Sequence, residues 1–213
     1  MTARMRPKPA TRLPPRPAAA AAVAPRSRRL RFAPLTPDRW LDLERLFGAN
    51  GACGGCWCMW WRQTRAEFEA GKGAPNKRAF RKLVRSGAVP GILAYAGSEP
   101  VGWCAVEPRT AFPRFATSRH LKPVDDAPVW SATCFFVARP FRRHGLTVQL
   151  LEAAKTHARR RGARILEGYP IEPGAGNVPA AFAWTGFVPA FRAAGFVEVV
   201  RRSARQPIVR CTL

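Results

Sequence analysis

The stretch "VARPFRRHGLTVQL", residues 137–150, decides the fold. It joins two segments of different period. Upstream, "VWSATCFFVA" (129–138) is apolar almost throughout, as expected of a strand buried on both faces. Downstream, "GLTVQLLEAAKTHARRRG" (145–162) repeats at helical spacing, with Leu146, Leu150, Leu151, Ala154 and Ala158 on the core side. Where a strand gives way to a helix, the first helical N–H groups have no partners and the dipole end is positive. Such a corner binds anions. Gly145 lets a ligand approach the backbone closely, and Arg142 and Arg143 add charge. A pyrophosphate fits here. For the glycine alone, an ordinary strand-to-helix turn with surface arginines is the better reading.

On either side the chain alternates elements. "RLRFAPL" (29–35) reads as a first strand. "TPDRWLDLERLFG" (36–48) reads as a helix with Thr36 as cap, Pro37 in the first turn and Gly48 as stop. Thr64 and Glu67 form a capping box, and Asn76 opens a further helix that ends at Gly87. "GILAYAGSEPVGWCAVEP" (91–108) is a hairpin around Gly97-Ser98-Glu99-Pro100. Residues 109–128 read as a long loop. "RILEGYPI" (164–171), a helical segment ending at "FRAAGF" (191–196), and the strands "VEVVRR" and "PIVRCTL" close the chain. The order predicts an α/β (α+β) fold, a mixed central sheet of about six to seven strands flanked by helices.

Composition bounds the function. Of 213 residues, 36 are Lys or Arg and 13 Asp or Glu, a net charge of +23. Residues 1–29 carry eight basic residues, six prolines and no acid, and are expected to be a disordered tail rather than a leader peptide. Residues 30–213, expected to be a single domain, keep 28 basic against 13 acidic residues. Such a charge attracts anions, whether nucleic acid, anionic lipid or a phosphate-rich cofactor, or it reflects only a composition heavy in Arg, Ala and Pro, with arginines where another protein would use lysine. No run of about 18 uncharged apolar residues suggests a membrane span. Six cysteines in a chain long enough to need no staples point to a reducing, cytoplasmic compartment.

The segment Arg142-Arg143-His144-Gly145-Leu146-Thr147 after a buried strand resembles the signature of the GNAT superfamily of acyl-CoA-dependent N-acetyltransferases, Arg/Gln-x-x-Gly-x-Gly/Ala. Thr147 departs from it, standing where Gly or Ala is usual. The order of elements over about residues 30–212 agrees as well. The resemblance implies acetyl-CoA as co-substrate, with its pyrophosphate on the backbone of Arg143 to Thr147. It also implies pantetheine along the strand end at Phe136 and Val137, where that strand parts from its neighbour. An amine acceptor follows, small molecule or protein, and homodimers are common in the family.

Amine acetylation needs a path for the amine proton and an acid for the departing thiolate. Many relatives place a Tyr four residues before the final Gly-Phe. In "AFRAAGF" that position is Phe191, which has no proton to give. Glu107 at the end of the hairpin is the candidate base and Tyr169 the candidate acid, against surface and packing roles. Cys134 reads as buried filler, and His120 and His157 as exposed.

"CGGCWCMWW" (53–61) remains. Cys53, Cys56 and Cys58 supply three ligands where zinc wants four, so no metal is expected. Trp57, Met59, Trp60 and Trp61 would wall an acceptor pocket under the resemblance, or form core. Three functions stay in play: an N-acetyltransferase, a catalytically weak acyl-CoA-binding module, and a basic nucleic-acid- or ribosome-associated protein.

Overall fold

The computed structural model describes residues 29–174 and 183–213. The expected tail therefore lies, but for Arg29, outside the described residues. The strands are β1 (Leu30–Pro34), β2 (Gly91–Ala96), β3 (Glu99–Pro108), β4 (Trp130–Val137), β5 (Ile165–Gly168), β6 (Val197–Arg201) and β7 (Pro207–Thr212). The helices are α1 (Trp40–Phe47), α2 (Arg65–Gly71), α3 (Ala74–Arg85), α4 (Leu146–Arg160) and α5 (Val188–Ala193). The seven strands form one sheet in the order β1-β2-β3-β4-β5-β7-β6. β4 and β5 pair in parallel, so α4 must cross over the sheet between them. Every other neighbouring pair is antiparallel. This is the expected mixed sheet.

Each face of the sheet carries its own core. On one, the apolar stripe of α4 packs over Ile92, Cys104, Ala132 and Leu166, with α5 beside it. Gly102 on β3 makes this contact close, because a Cβ there would meet Leu146 Cδ2 at 3.1 Å and Leu150 Cδ1 at 3.3 Å. On the other face, α1, α2 and α3 cover Leu93, Tyr95 and Trp103. A third cluster joins Trp61, Phe112, Phe115 and Tyr169.

Local chemistry moved some boundaries. Thr36 does not cap a helix through its side chain. Its Oγ1 accepts from Arg39 Nη1 at 2.6 Å, and the chain first makes a 3-10 turn at Pro37–Arg39. Pro75 in the first turn starts α3 ahead of Asn76. Asn76 is instead buried, its Nδ2 donating to the Gly55 carbonyl at 3.5 Å and so tying the helix to the cysteine-rich loop. The Thr64–Glu67 capping box forms in full. The stretch expected as a loop after β3 contains 3-10 turns at Arg109–Ala111 and Pro113–Phe115. His157 is half-buried rather than exposed, its ring set edgewise 5.9 Å from that of Trp130.

Candidate active site

The candidate site begins where β4 loses a partner. β4 pairs with β5 only through Trp130↔Leu166, Ser131↔Glu167 and Ala132↔Gly168. On its other side, Ala105 faces Cys134 and Val106 faces Ala132, which leaves Thr133 as an extra, bulged residue. A bulge bends and twists its strand, and here it does so where the strands separate. Beyond Ala132 the outer edge of β4 is bare of β5. Phe135 turns its N–H to this edge and donates to the Trp184 carbonyl at 2.6 Å. Val137 turns its carbonyl the same way and accepts from Arg142 Nε at 2.9 Å. Ala138 donates to Val101 on the β3 side at 2.9 Å, so by strand alternation Phe136 also faces β3. The edge positions are thus Phe135 and Val137. Phe135 was not singled out from sequence. Its signal is the two-residue period counted from Val137.

The α4 corner follows directly. Arg143 (φ 64°) and Gly145 (φ 74°) are both left-handed, and Gly145 is the residue before the first turn of α4. A Cβ on Gly145 would meet nothing within 4 Å, so the glycine is required by backbone conformation, and the space over it is open. Helical bonding starts with Val148 and Gln149, which donate to the Gly145 carbonyl at 3.1 and 3.3 Å. Among the described residues the N–H groups of His144, Gly145, Leu146 and Thr147 meet no acceptor. Arg142, Arg143 and His144 are exposed around them. His144 Nδ1 lies 2.7 Å from the Arg142 carbonyl, while Leu146 turns into the core. Thr147, half-buried, sits at the second position of the helix. This donor set suits a phosphate-bearing anion.

A polar row crosses the face opposite α4. Register aligns Glu107 with Ser131, Ser131 with Glu167, and Glu167 with Arg210. Glu107 pairs with Arg62, both nearly buried, and the Arg62 cation lies 4.6 Å over the Phe112 ring. Glu167, fully buried, pairs with Arg109 and with Arg210 Nε at 2.8 Å. The Tyr169 hydroxyl donates to Glu167 Oε1 at 2.7 Å, accepts from Arg109 Nη1 at 3.1 Å and lies 2.8 Å from Ser131 Oγ. Burial, reinforced by the Glu167 charge, holds this phenol protonated far above its ordinary range. Its proton is directed at Glu167, and its ring lies 4.2 Å from that of Phe115.

The four wall candidates divide between two clusters, with Trp60 packed against both. Trp57 and Met59 are buried among α1 and α3, Trp57 stacked 6.2 Å from Trp40. Trp60 and Trp61 turn toward Trp184, with ring centroids at 6.3 and 5.4 Å, and Trp61 stacks on Phe115 at 4.4 Å. The Arg114 guanidinium covers Trp60 at 3.8 Å. Cys58 Sγ accepts from Trp103 Nε1 at 3.0 Å, and a hydrogen bond from Cys134 holds its thiol below the usual range. Burial pushes Cys56 up to about 11. Among the described residues no group of His, Cys, Asp or Glu is placed to hold a metal ion. A cavity of about 410 Å³ at Glu44, Gly48, Trp57 and Lys77 lies between α1 and α3, away from the α4 corner.

Phe191 is fully buried on the α4 face. Its ring sits edge-on to Phe135 at 5.8 Å and to Phe196 at 5.0 Å. It presses on β5 so closely that a Cβ on Gly168 would fall 2.1 Å from its Cε1.

Comparison with known proteins bears on the fold and the family. Among the described residues no helix is long and apolar enough to cross a membrane. No curated protein matches the chain. An acetyltransferase from Listeria monocytogenes 4b F2365, of the GNAT family, is similar in structure with a TM-score of 0.53 at 11% identity, covering 86% of this chain and 95% of its own. PaiA N-acetyltransferase from Thermoplasma acidophilum, solved in complex with coenzyme A, gives a TM-score of 0.50 at 11% identity, covering 87% of this chain and 99% of its own. At such identity the likeness is one of fold. The model of the acetyltransferase (GNAT) family matches residues 57–180, more than half of the sequence, and the chain therefore belongs to that family.

Proposed function

We propose that this acetyltransferase moves an acetyl group from acetyl-CoA to a primary amine of a small molecule or protein. One observation carries the reading. The N–H groups at the start of α4 that meet no acceptor follow in the chain directly on the β4 edge that β5 leaves at Phe135 and Val137, where the main chain is held by the Trp184 carbonyl and by Arg142. In this reading the backbone from Arg143 to Thr147 holds the pyrophosphate, Arg142 and Arg143 add charge, and the β4 edge aligns the pantetheine and acyl end. Acetyl-CoA supplies a thioester acyl group.

The chain's own residues then handle protons. As the amine nitrogen bonds to the carbonyl carbon and the carbon–sulfur bond breaks, the amine proton must leave and the thiolate must gain one. Glu107 is the candidate acceptor of the amine proton, with Arg62 holding its carboxylate in place. Tyr169 has its proton committed to Glu167, and Phe191 has none, so the thiolate is protonated from solvent in this account. The acceptor side is assigned to Trp60 and Trp61, with Trp57 and Met59 supporting them from the core.

The test is CoA release from acetyl-CoA across a panel of amines, for wild type and Gly145→Glu. Amine-dependent release by wild type alone supports the proposal. Release that persists in Gly145→Glu would remove the α4 corner from it, and CoA binding without turnover on any amine would favour the acyl-CoA-binding alternative.

A further inference from the structure

β4 does not leave its bare edge to solvent. The segment Trp184–Phe187 runs into the gap left by β5 and bonds to both banks. On one side the Trp184 carbonyl takes the Phe135 N–H at 2.6 Å. On the other, Phe187 bridges Ile171 in parallel, Ile171 donates to the Gly186 carbonyl at 2.9 Å, and Val188 donates to Ile171 at 3.0 Å. Gly186, left-handed at φ 81°, is wedged between rings. A Cβ there would lie 2.9 Å from Phe191 Cε2 and 3.5 Å from Phe135 Cδ2. The Trp184 indole meanwhile lies against Trp60 and Trp61.

We propose that Trp184–Phe187 is a strap displaced by the cofactor. Its Trp184 carbonyl occupies the β4 amide that the acyl end of acyl-CoA would use, and exchange of that bond carries the Trp184 indole off the Trp60–Trp61 wall. The inference rests on the acyl-CoA reading above. It makes Trp184 a positioning residue that couples the cofactor edge to the acceptor side.

Two features suit an element that changes partners. The strap-closed form leaves buried hydroxyls unpaired on both sides of the contact: Thr185 Oγ1 in the strap and Thr133 Oγ1 in the β4 bulge. The Trp61 indole nitrogen beneath Trp184 is also buried without a partner. Buried polar groups are ordinarily paired, so this closed arrangement is not the best the local groups can make. On the β4 side the hydrogen bond to be exchanged is a single backbone contact, Phe135 N–H to the Trp184 carbonyl, within reach of a ligand's differential affinity, while the contacts to Ile171 can hold the other end of the strap.

The experiment uses full-length protein carrying 5-fluorotryptophan, with the Trp184 resonance assigned through Trp184→Phe, titrated with CoA. The Trp184 resonance is expected to shift as CoA saturates. In parallel, calorimetry compares wild type with Gly186→Ala, whose Cβ unseats the strap. Removing one competing hydrogen bond should tighten CoA binding roughly three- to tenfold. A Trp184 resonance that stays fixed while CoA saturates overturns the strap alone, and so does a Gly186→Ala affinity equal to or weaker than wild type. Absence of CoA binding by wild type overturns the strap together with the acyl-CoA reading.

Discussion

Substituting Gly168→Ala tests the packing that brings β5 and α5 together. The added Cβ would sit 2.1 Å from Phe191 Cε1 and 2.9 Å from its Cδ1 and Cζ, where 3.4–4 Å is ordinary contact. Phe191 is fully buried and hemmed by Phe135 and Phe196, so it cannot swing clear. Overpacking of this kind costs about 1–3 kcal/mol. Alanine restricts the unfolded chain and returns about 0.4–1 kcal/mol. The net loss is then about 1–2 kcal/mol, a fall in Tm of roughly 2–8 °C for a domain of this size. Thermal melting followed by circular dichroism reads it. Phe191→Leu, which opens room under the new methyl, should recover part of the loss in the double variant, so the two changes are not additive. A Gly168→Ala protein that melts at or above wild type, or strict additivity with Phe191→Leu, would refute the reasoning.

Other outcomes follow from the buried charges. Arg62→Met strands Glu107 in a nearly closed site and should destabilise the protein by about 3–5 kcal/mol, partly restored by adding Glu107→Gln; urea denaturation of wild type and the two variants checks this. His157 is held down to about 4 by burial, with Arg161 and Arg160 contributing, against an unfolded value of 6.5. The folded state thus disfavours the protonated ring. Its stability contribution is present above pH 6.5 and is lost as pH falls from there to about 4. His157→Phe should flatten the denaturation midpoint across that window, and an unchanged slope would contradict the assignment.

Much of the frame can be read along the chain because each local signal agrees with its tertiary use. The apolar run of β4, the stripe Leu146–Leu150–Leu151–Ala154–Ala158 of α4 and the Thr64–Glu67 capping box all fold as their periods and caps dictate. The misread details have a common cause. Asn76, Thr36 and His157 each found a partner distant in sequence or out of pattern, and no local rule contains the Gly55 carbonyl or the Trp130 ring. The tryptophan stretch shows the same limit. Its four apolar residues read alike in sequence, yet left-handed turns at Trp57 and Cys58 send Trp57 and Met59 into one core and Trp61 into another, with Trp60 packed against both. Tyr169 and Glu107 carry the right chemistry, but their neighbours Glu167 and Arg62 are set by strand register and loop closure. The Trp184 carbonyl on Phe135 is a main-chain contact across 49 residues, and side-chain identity does not encode it.

The central claim is that the α4 corner and the β4 edge hold acyl-CoA. Native mass spectrometry of the purified protein with acetyl-CoA, for wild type and Arg142→Glu, tests it most directly. A CoA-sized mass increment is expected on wild type and its loss in Arg142→Glu. An equal increment on both proteins, or none on wild type, would contradict it.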